Sequence, residues 1–190
     1  MSNEWTTMTA AARETLERSA ALADAVEATG TAIIDALRSE HKLLSCGNGG
    51  SASQSGHLAA ELVGRFRAER VPLPAIDLTA SGSLLTCLVN DYDPANLFAR
   101  QVAGLGQTGD ILVALTTTGN SENVRRAVVE ADQLGLTTIA LLGKGGGKLA
   151  GVADFEIIVP SDETARVQEV HLMIIHAWCA AIDNAFRAVE

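Results

Sequence analysis

The hydrophobic pattern changes period near residue 40. Up to there the chain is alanine-rich and free of proline, and Leu16, Ala20, Ala23 and Val26 recur at helical spacing. That spacing predicts helix over 1–40, with a break at Gly30 and with Ile33, Ile34 and Leu37 facing a core beyond it. Then short apolar runs take over, at 42–46 (KLLSC), 74–78 (PAIDL), 110–116 (DILVALT), 137–142 (TTIALL) and 155–159 (FEIIV). Each is followed by Gly, Ser or Thr and then by a helix-compatible stretch: 51–66, 81–90, 95–104, 121–134 and 163–189. Runs that are apolar on both faces and alternate with helices are the pattern of a parallel sheet covered on both sides. The prediction is a three-layer α/β/α sandwich around a five-stranded parallel sheet. The glycine-rich stretch 142–151 (LGKGGGKLAG) reads as a loop after the fourth strand. No linker divides the chain, so 1–190 reads as one domain.

Composition narrows the class. A chain of 190 residues is the size of a single domain. With 47% hydrophobic and 19% charged residues it is neither disordered nor a coiled coil. No apolar run approaches the ~18–20 residues of a membrane span, and the first residues lack the basic-then-apolar order of a signal peptide. Cys46, Cys87 and Cys179 are odd in number and lie in apolar contexts, which predicts reduced thiols and a cytoplasmic location. Fourteen basic against 23 acidic residues give a net charge of -9, which argues against nucleic acid held through phosphates. A small phosphorylated ligand remains open, because its site can be built from backbone N–H groups and hydroxyls.

In a parallel sheet, ligands bind beyond the carboxyl ends of the strands. The first such turn, 46–57 (CGNGGSASQSGH), has glycines at 47, 49 and 50 for a tight bend and Ser51 as a candidate helix cap. It is neither GxGxxG nor a Walker motif, and a plain strand-to-helix turn accounts for it equally well. The turn 115–124 (LTTTGNSENV) sets three threonines and Ser121 between a buried strand and a helix. Hydroxyls there need partners, which a phosphate supplies; the plainer reading makes Ser121 an N-cap. His57 and Glu61, four apart, share a helix face and suit a metal, an acid/base pair or a surface ion pair. Gln168, His171 and His176 lie on a last helix too apolar to face water, where hydrogen-bonded core histidines are the plainer reading. Arg65 and Asp91 read most simply as surface charges.

Taken together, SCGNGGSASQSGHLAAELVGRF, VNDYDPANLFARQV, GDILVALTTTGNSENV and VPSDETARVQEVHLMIIHAWCAAID resemble the sugar-isomerase (SIS) domain, and within it the phosphoheptose isomerase family, over about residues 40–185. The resemblance implies a flavodoxin-like SIS fold with an N-terminal helical segment, 1–40, used in oligomerisation. It implies substrate contacts from Asn48, Gly49, Gly50 and Ser51 and from Asn90 and Asp91, with a phosphate grip from Thr116, Thr117, Thr118 and Ser121. It further implies a zinc site from His57, Glu61, Gln168 and His176. Glu61 and His176 would transfer the proton, with Glu61 and Gln168 also touching substrate. His171 has no role in the family. The implied reaction is aldose–ketose isomerisation of sedoheptulose 7-phosphate to D-glycero-D-manno-heptose 7-phosphate, in a homotetramer. The family's usual Ser-Thr-Ser-Gly-Asn-Ser turn is Thr-Thr-Thr-Gly-Asn-Ser here, which keeps the hydroxyls but narrows their rotamers.

Gln168 and His176 are eight residues apart, ~12 Å along one helix. A common metal would lie at full stretch for both, which predicts that neighbouring protomers share a site. Competing readings are an isomerase or sensor for another sugar phosphate, a non-catalytic SIS protein that binds the replication initiator, and a nucleotide-binding α/β protein. The last lacks both a Walker lysine and a ribose-binding acid at the expected spacing.

Overall fold

The structure, a computed structural model, describes residues 2–187. In chain order the elements are helices α1 (Ser2–Ser19) and α2 (Ala23–Arg38), strand β1 (Leu43–Gly47), α3 (Gly50–Val63) and β2 (Ala75–Asp77). There follow α4 (Gly82–Asp91), α5 (Ala99–Leu105), β3 (Ile111–Thr116), α6 (Glu122–Gln133), β4 (Thr137–Leu142), β5 (Phe155–Ile158) and α7 (Thr164–Phe186). All five expected strands form, every pairing is parallel, and the order is β2-β1-β3-β4-β5. The predicted end of the last helix at 188–189 lies outside the described residues, as does Met1.

The sheet is buried on both faces because its apolar runs alternate sides at period two. Leu43, Ile111, Val113, Leu115, Ile139, Leu141 and Ile157 share one core with Ile33 of α2, Leu58 and Leu62 of α3, and Ile175 and Trp178 of α7. Leu44, Cys46, Leu112, Ala114, Ala140 and Leu142 share the other with Phe98, Val102, Val124, Ala127 and Val128. The chain leaves β1 for β2 on one side and comes back to place β3 on the other. The carboxyl ends of β1 and β3 therefore open onto one crevice, the switch point at which doubly wound sheets bind ligands.

The N-terminal helix breaks at Ala20–Leu22, a single 3-10 turn, rather than at Gly30. Gly30 is buried inside α2, where a Cβ would stand 3.2 Å from Trp178 Cδ1. The glycine admits the indole, whose Nε1 donates to the Val26 carbonyl and to Thr29 Oγ1, each at 3.1 Å. Close packing, not a helix stop, explains it. Ser51 does not cap α3 either. The helix starts at Gly50 with Gly49, at φ 57°, in the cap position, so Ser51 falls inside the first turn and is buried. No helix among the described residues is long and apolar enough to cross a membrane.

His171 is a core residue, as the plainer reading has it. Its Nε2 donates to the Leu142 carbonyl at 3.1 Å, and burial pushes the imidazole down to about 4, outweighing that bond, which acts in the opposite direction. An unfolded chain protonates His near 6.5, so between there and about 4 the unfolded state binds more protons. Stability is expected to fall as pH drops through that window. His171→Leu should flatten the fall, seen as urea midpoints that differ less between pH 7 and pH 5 than in the parent. The substitution leaves Leu142 satisfied, because Val159 N also donates to its carbonyl at 2.9 Å.

Candidate active site

Two turns face each other across the crevice. After β1, Gly47 leaves room for the returning helix, since a Cβ there would stand 2.8 Å from the Ser51 carbonyl carbon. Gly50 lies under the Gln168 amide, so close that any Cβ would collide with it. After β3, Thr116 Oγ1 and Ser121 Oγ stand 3.1 Å apart, and Asn120 N donates to Thr118 Oγ1 at 3.1 Å. Ser121 does occupy the N-cap of α6, but its hydroxyl bonds to Thr116 and not to the helix.

Between the turns is a pocket of about 210 Å³ lined by Asn48, Ser51, Leu115, Thr116, Thr117, Thr118, Ser121, Thr164 and Gln168. None of these side chains is charged. What attracts an anion is the positive end of α3 and of α6, together with hydroxyls and backbone N–H groups. The glycine-rich loop after β4 buttresses this turn. Leu149 N donates to the Gly119 carbonyl at 3.1 Å, Lys148 N donates to Asn120 Oδ1 at 3.2 Å, and Gly119, at φ 64°, passes too close to the Gly146 carbonyl for any Cβ.

Further along α3, its His57/Glu61 face meets α7. His57 Nε2 is 3.0 Å from His176 Nε2 and 3.5 Å from Glu61 Oε1, and Phe66 stacks on the His176 ring at 5.2 Å. The Glu61 side chain is 19% exposed, buried enough to strengthen its interactions yet open to a ligand. What fixes this end of α3 is Arg70. Its guanidinium donates to the Glu61 carbonyl at 2.6 Å and the Leu62 carbonyl at 2.8 Å, and pairs with Asp183 of α7 at 3.0 Å. Asp183 also accepts from Arg67 N at 2.7 Å and Ala68 N at 2.8 Å. Nothing in the sequence marks Arg70 or Asp183, because their partners are far away in the chain.

The structure thus gathers Asn48, Ser51, Thr116, Thr117, Thr118, Ser121 and Gln168 around one pocket, and His57, Glu61 and His176 at a second locus two turns along α3. Gly49 and Gly50 form the start of α3 beside the pocket. Gln168 lies over Gly50 at the pocket, and its backbone carbonyl accepts from Gln54 Nε2 at 2.7 Å. Asn90 and Asp91 end α4, exposed and bonded to each other at 2.7 Å, outside the pocket lining. Arg65 is a surface charge, as read from sequence, and it pairs there with Glu69 at 3.3 Å.

As a zinc site the second locus has the right donors, two imidazoles and a carboxylate, which match the three-ligand sets of catalytic zinc. The three do not form a finished cage. Among the described residues no group of three or more His, Cys, Asp or Glu side chains is set as one, and the two imidazoles bond each other instead.

The crevice, the hydroxyl turn and the parallel order define the class, and a family model of the SIS domain matches residues 8–143. The phosphoheptose isomerase of a Nitratiruptor species is 52% identical over 153 residues, covering 80% of this chain and 82% of its own. A solved phosphoheptose isomerase from Francisella tularensis superposes with a TM-score of 0.93 at 38% identity, over 96% of this chain and 97% of that one. The one from Neisseria gonorrhoeae gives a TM-score of 0.91 at 36% identity, over 96% and 98%. The chain belongs to the phosphoheptose isomerase family of SIS-domain proteins. It is an enzyme, a sugar-phosphate isomerase.

Proposed function

We propose that the enzyme interconverts sedoheptulose 7-phosphate and D-glycero-D-manno-heptose 7-phosphate, supplying heptose biosynthesis. One observation carries the reading: an uncharged hydroxyl pocket at the start of α3 and a carboxylate beside two imidazoles further along the same helix. His57 is seven residues, ~10 Å, beyond Gly50. An open-chain seven-carbon sugar with its phosphate in the pocket reaches that far, and a three-carbon one does not.

In this reading Thr116, Thr117, Thr118 and Ser121 grip the phosphate, with Asn48, Gly49, Gly50, Ser51 and Gln168 along the sugar. Glu61 removes the proton from C1 of the ketose while His176 gives one to the C2 oxygen, leaving an enediol. Glu61 then returns its proton to C2, and the C1 hydroxyl gives its proton back to His176. The C–H proton moves from C1 to C2 and nothing else is gained or lost. His57, hydrogen-bonded to His176 and facing Glu61, holds both in place.

His57, Glu61 and His176 would hold a zinc ion, with Gln168 as the fourth ligand implied by the family. Zinc bound there supplies a Lewis acid that polarises the substrate carbonyl. Metal analysis of the purified protein, repeated on His57→Ala, tests the site independently of turnover: bound zinc should be lost in the variant.

We further propose a homotetramer built partly on α1 and α2. Trp5 is 72% exposed and Met8 44% on one chain, and Met173 of α7, 49% exposed, borders an apolar groove with Leu22, Val26, Val170 and Ile174. Asn90 and Asp91, outside the pocket of their own chain, are proposed to touch substrate once the tetramer forms. A fully active monomer by light scattering would contradict this. Three free thiols, two of them buried, agree with a cytoplasmic location.

A second reading, another sugar phosphate, draws on Thr116 and Thr118, which line the pocket where the family's usual turn has serines. Turnover of sedoheptulose 7-phosphate beside fructose 6-phosphate decides between them. The heptulose phosphate should react at least tenfold faster.

A further inference from the structure

Asn123 is not among the residues placed on the substrate, yet it is bonded twice to one that is. Asn48 Nδ2 donates to Asn123 Oδ1 at 2.9 Å, and Asn123 Nδ2 donates to Asn48 Oδ1 at 2.9 Å. This two-bond ring closes the crevice between the turn after β1 and the first turn of α6. Asn123 Oδ1 also accepts from Val124 N at 3.0 Å, which fixes which end of the Asn123 amide carries the oxygen. That in turn decides which way the Asn48 amide faces. A carboxamide has two N–H donors and two acceptor sites. The ring uses one of each on Asn48 and leaves one of each for a ligand in the pocket that Asn48 lines.

Asn48 is exposed and sits between Gly47 and Gly49, the latter at φ 57°, and its side chain is oriented by its two bonds to Asn123. Anchoring α6 is not the reason for the pair, because other contacts already do so. Arg126 of α6 bonds Asp93 at 2.9 Å and Asn96 at 2.8 Å, and Ser121 bonds Thr116 at 3.1 Å. The ring is therefore free to serve the Asn48 amide.

We propose that Asn123 is a positioning residue that orients the Asn48 amide toward the sugar phosphate and couples the two substrate turns. This rests on the reading of Asn48 as a substrate contact. A double-mutant cycle tests it, using Asn48→Ala, Asn123→Ala and the double variant, with kcat, KM for sedoheptulose 7-phosphate and the thermal midpoint measured for each. Asn123→Ala is expected to raise KM by about 3- to 10-fold with kcat and midpoint near the parent's. The double variant should be no worse than Asn48→Ala alone, because a residue that acts only through Asn48 has nothing left to lose. Effects that multiply in the double variant overturn the proposal, as does an unchanged KM in Asn123→Ala beside an impaired Asn48→Ala. Parent-like kinetics in Asn48→Ala would instead remove Asn48 from the substrate site, and this inference with it.

Discussion

Glu61→Gln is expected to lower kcat by ~10²–10⁴-fold, the contribution of a positioned general base. Glutamine has the same shape and keeps an oxygen toward His57, so the packing against α7 survives. What it lacks is a basic site for the C1 proton. KM should change little, because the phosphate grip lies in the other part of the site, and the unfolding midpoint should stay within the small range of a partly exposed polar change. A steady-state assay with sedoheptulose 7-phosphate reads the effect. A variant within tenfold of the parent would remove Glu61 from the proton transfer and leave His176 or a solvent molecule to do it.

Asp183→Ala is expected to cost about 3–5 kcal/mol, because it leaves a buried charge uncompensated. The Arg70 and Asp183 side chains are only 1% and 4% exposed. Losing the carboxylate strands the Arg70 guanidinium together with the N–H groups of Arg67 and Ala68. Against a total stability of about 5–15 kcal/mol, that is enough to unfold a large share of the molecules. Arg70 also holds the carbonyls of Glu61 and Leu62, so the folded remainder should lose activity too. Urea unfolding measures the first effect, and a loss below about 1 kcal/mol would contradict it.

The same pair adds to the loss of stability in acid. Burial alone would raise the Asp183 carboxyl, but the N–H groups of Ala68 and Arg67 and the Arg70 guanidinium outweigh it and hold it below the usual range. Its contribution is therefore complete above the unfolded carboxylate value of about 3.9 and is lost as pH falls through the lower folded value.

How far the sequence reaches depends on the distance over which a signal acts. The strands are legible because burial on both faces leaves uninterrupted apolar runs, and all five form within a few residues of their predicted limits. His57 and Glu61 are legible as a pair because four residues are one helical turn. Their meeting with His176, 119 residues on from His57, comes only from the family resemblance, since no local spacing encodes it. Gly30 misleads because a glycine admitted for a neighbouring indole reads the same as one that ends a helix. Ser51 misleads because the bend at Gly49 moves the helix start forward. Arg70, Asp183 and Asn123 give no signal at all: an ion pair across 113 residues and an amide pair across 75 leave no period to read.

The most direct test of the central claim is proton NMR of sedoheptulose 7-phosphate incubated with the enzyme, run in parallel with Glu61→Gln. Ketose signals should give way to those of the aldose heptose 7-phosphate with the parent and persist with the variant. A folded, oligomeric parent that leaves sedoheptulose 7-phosphate untouched would contradict it.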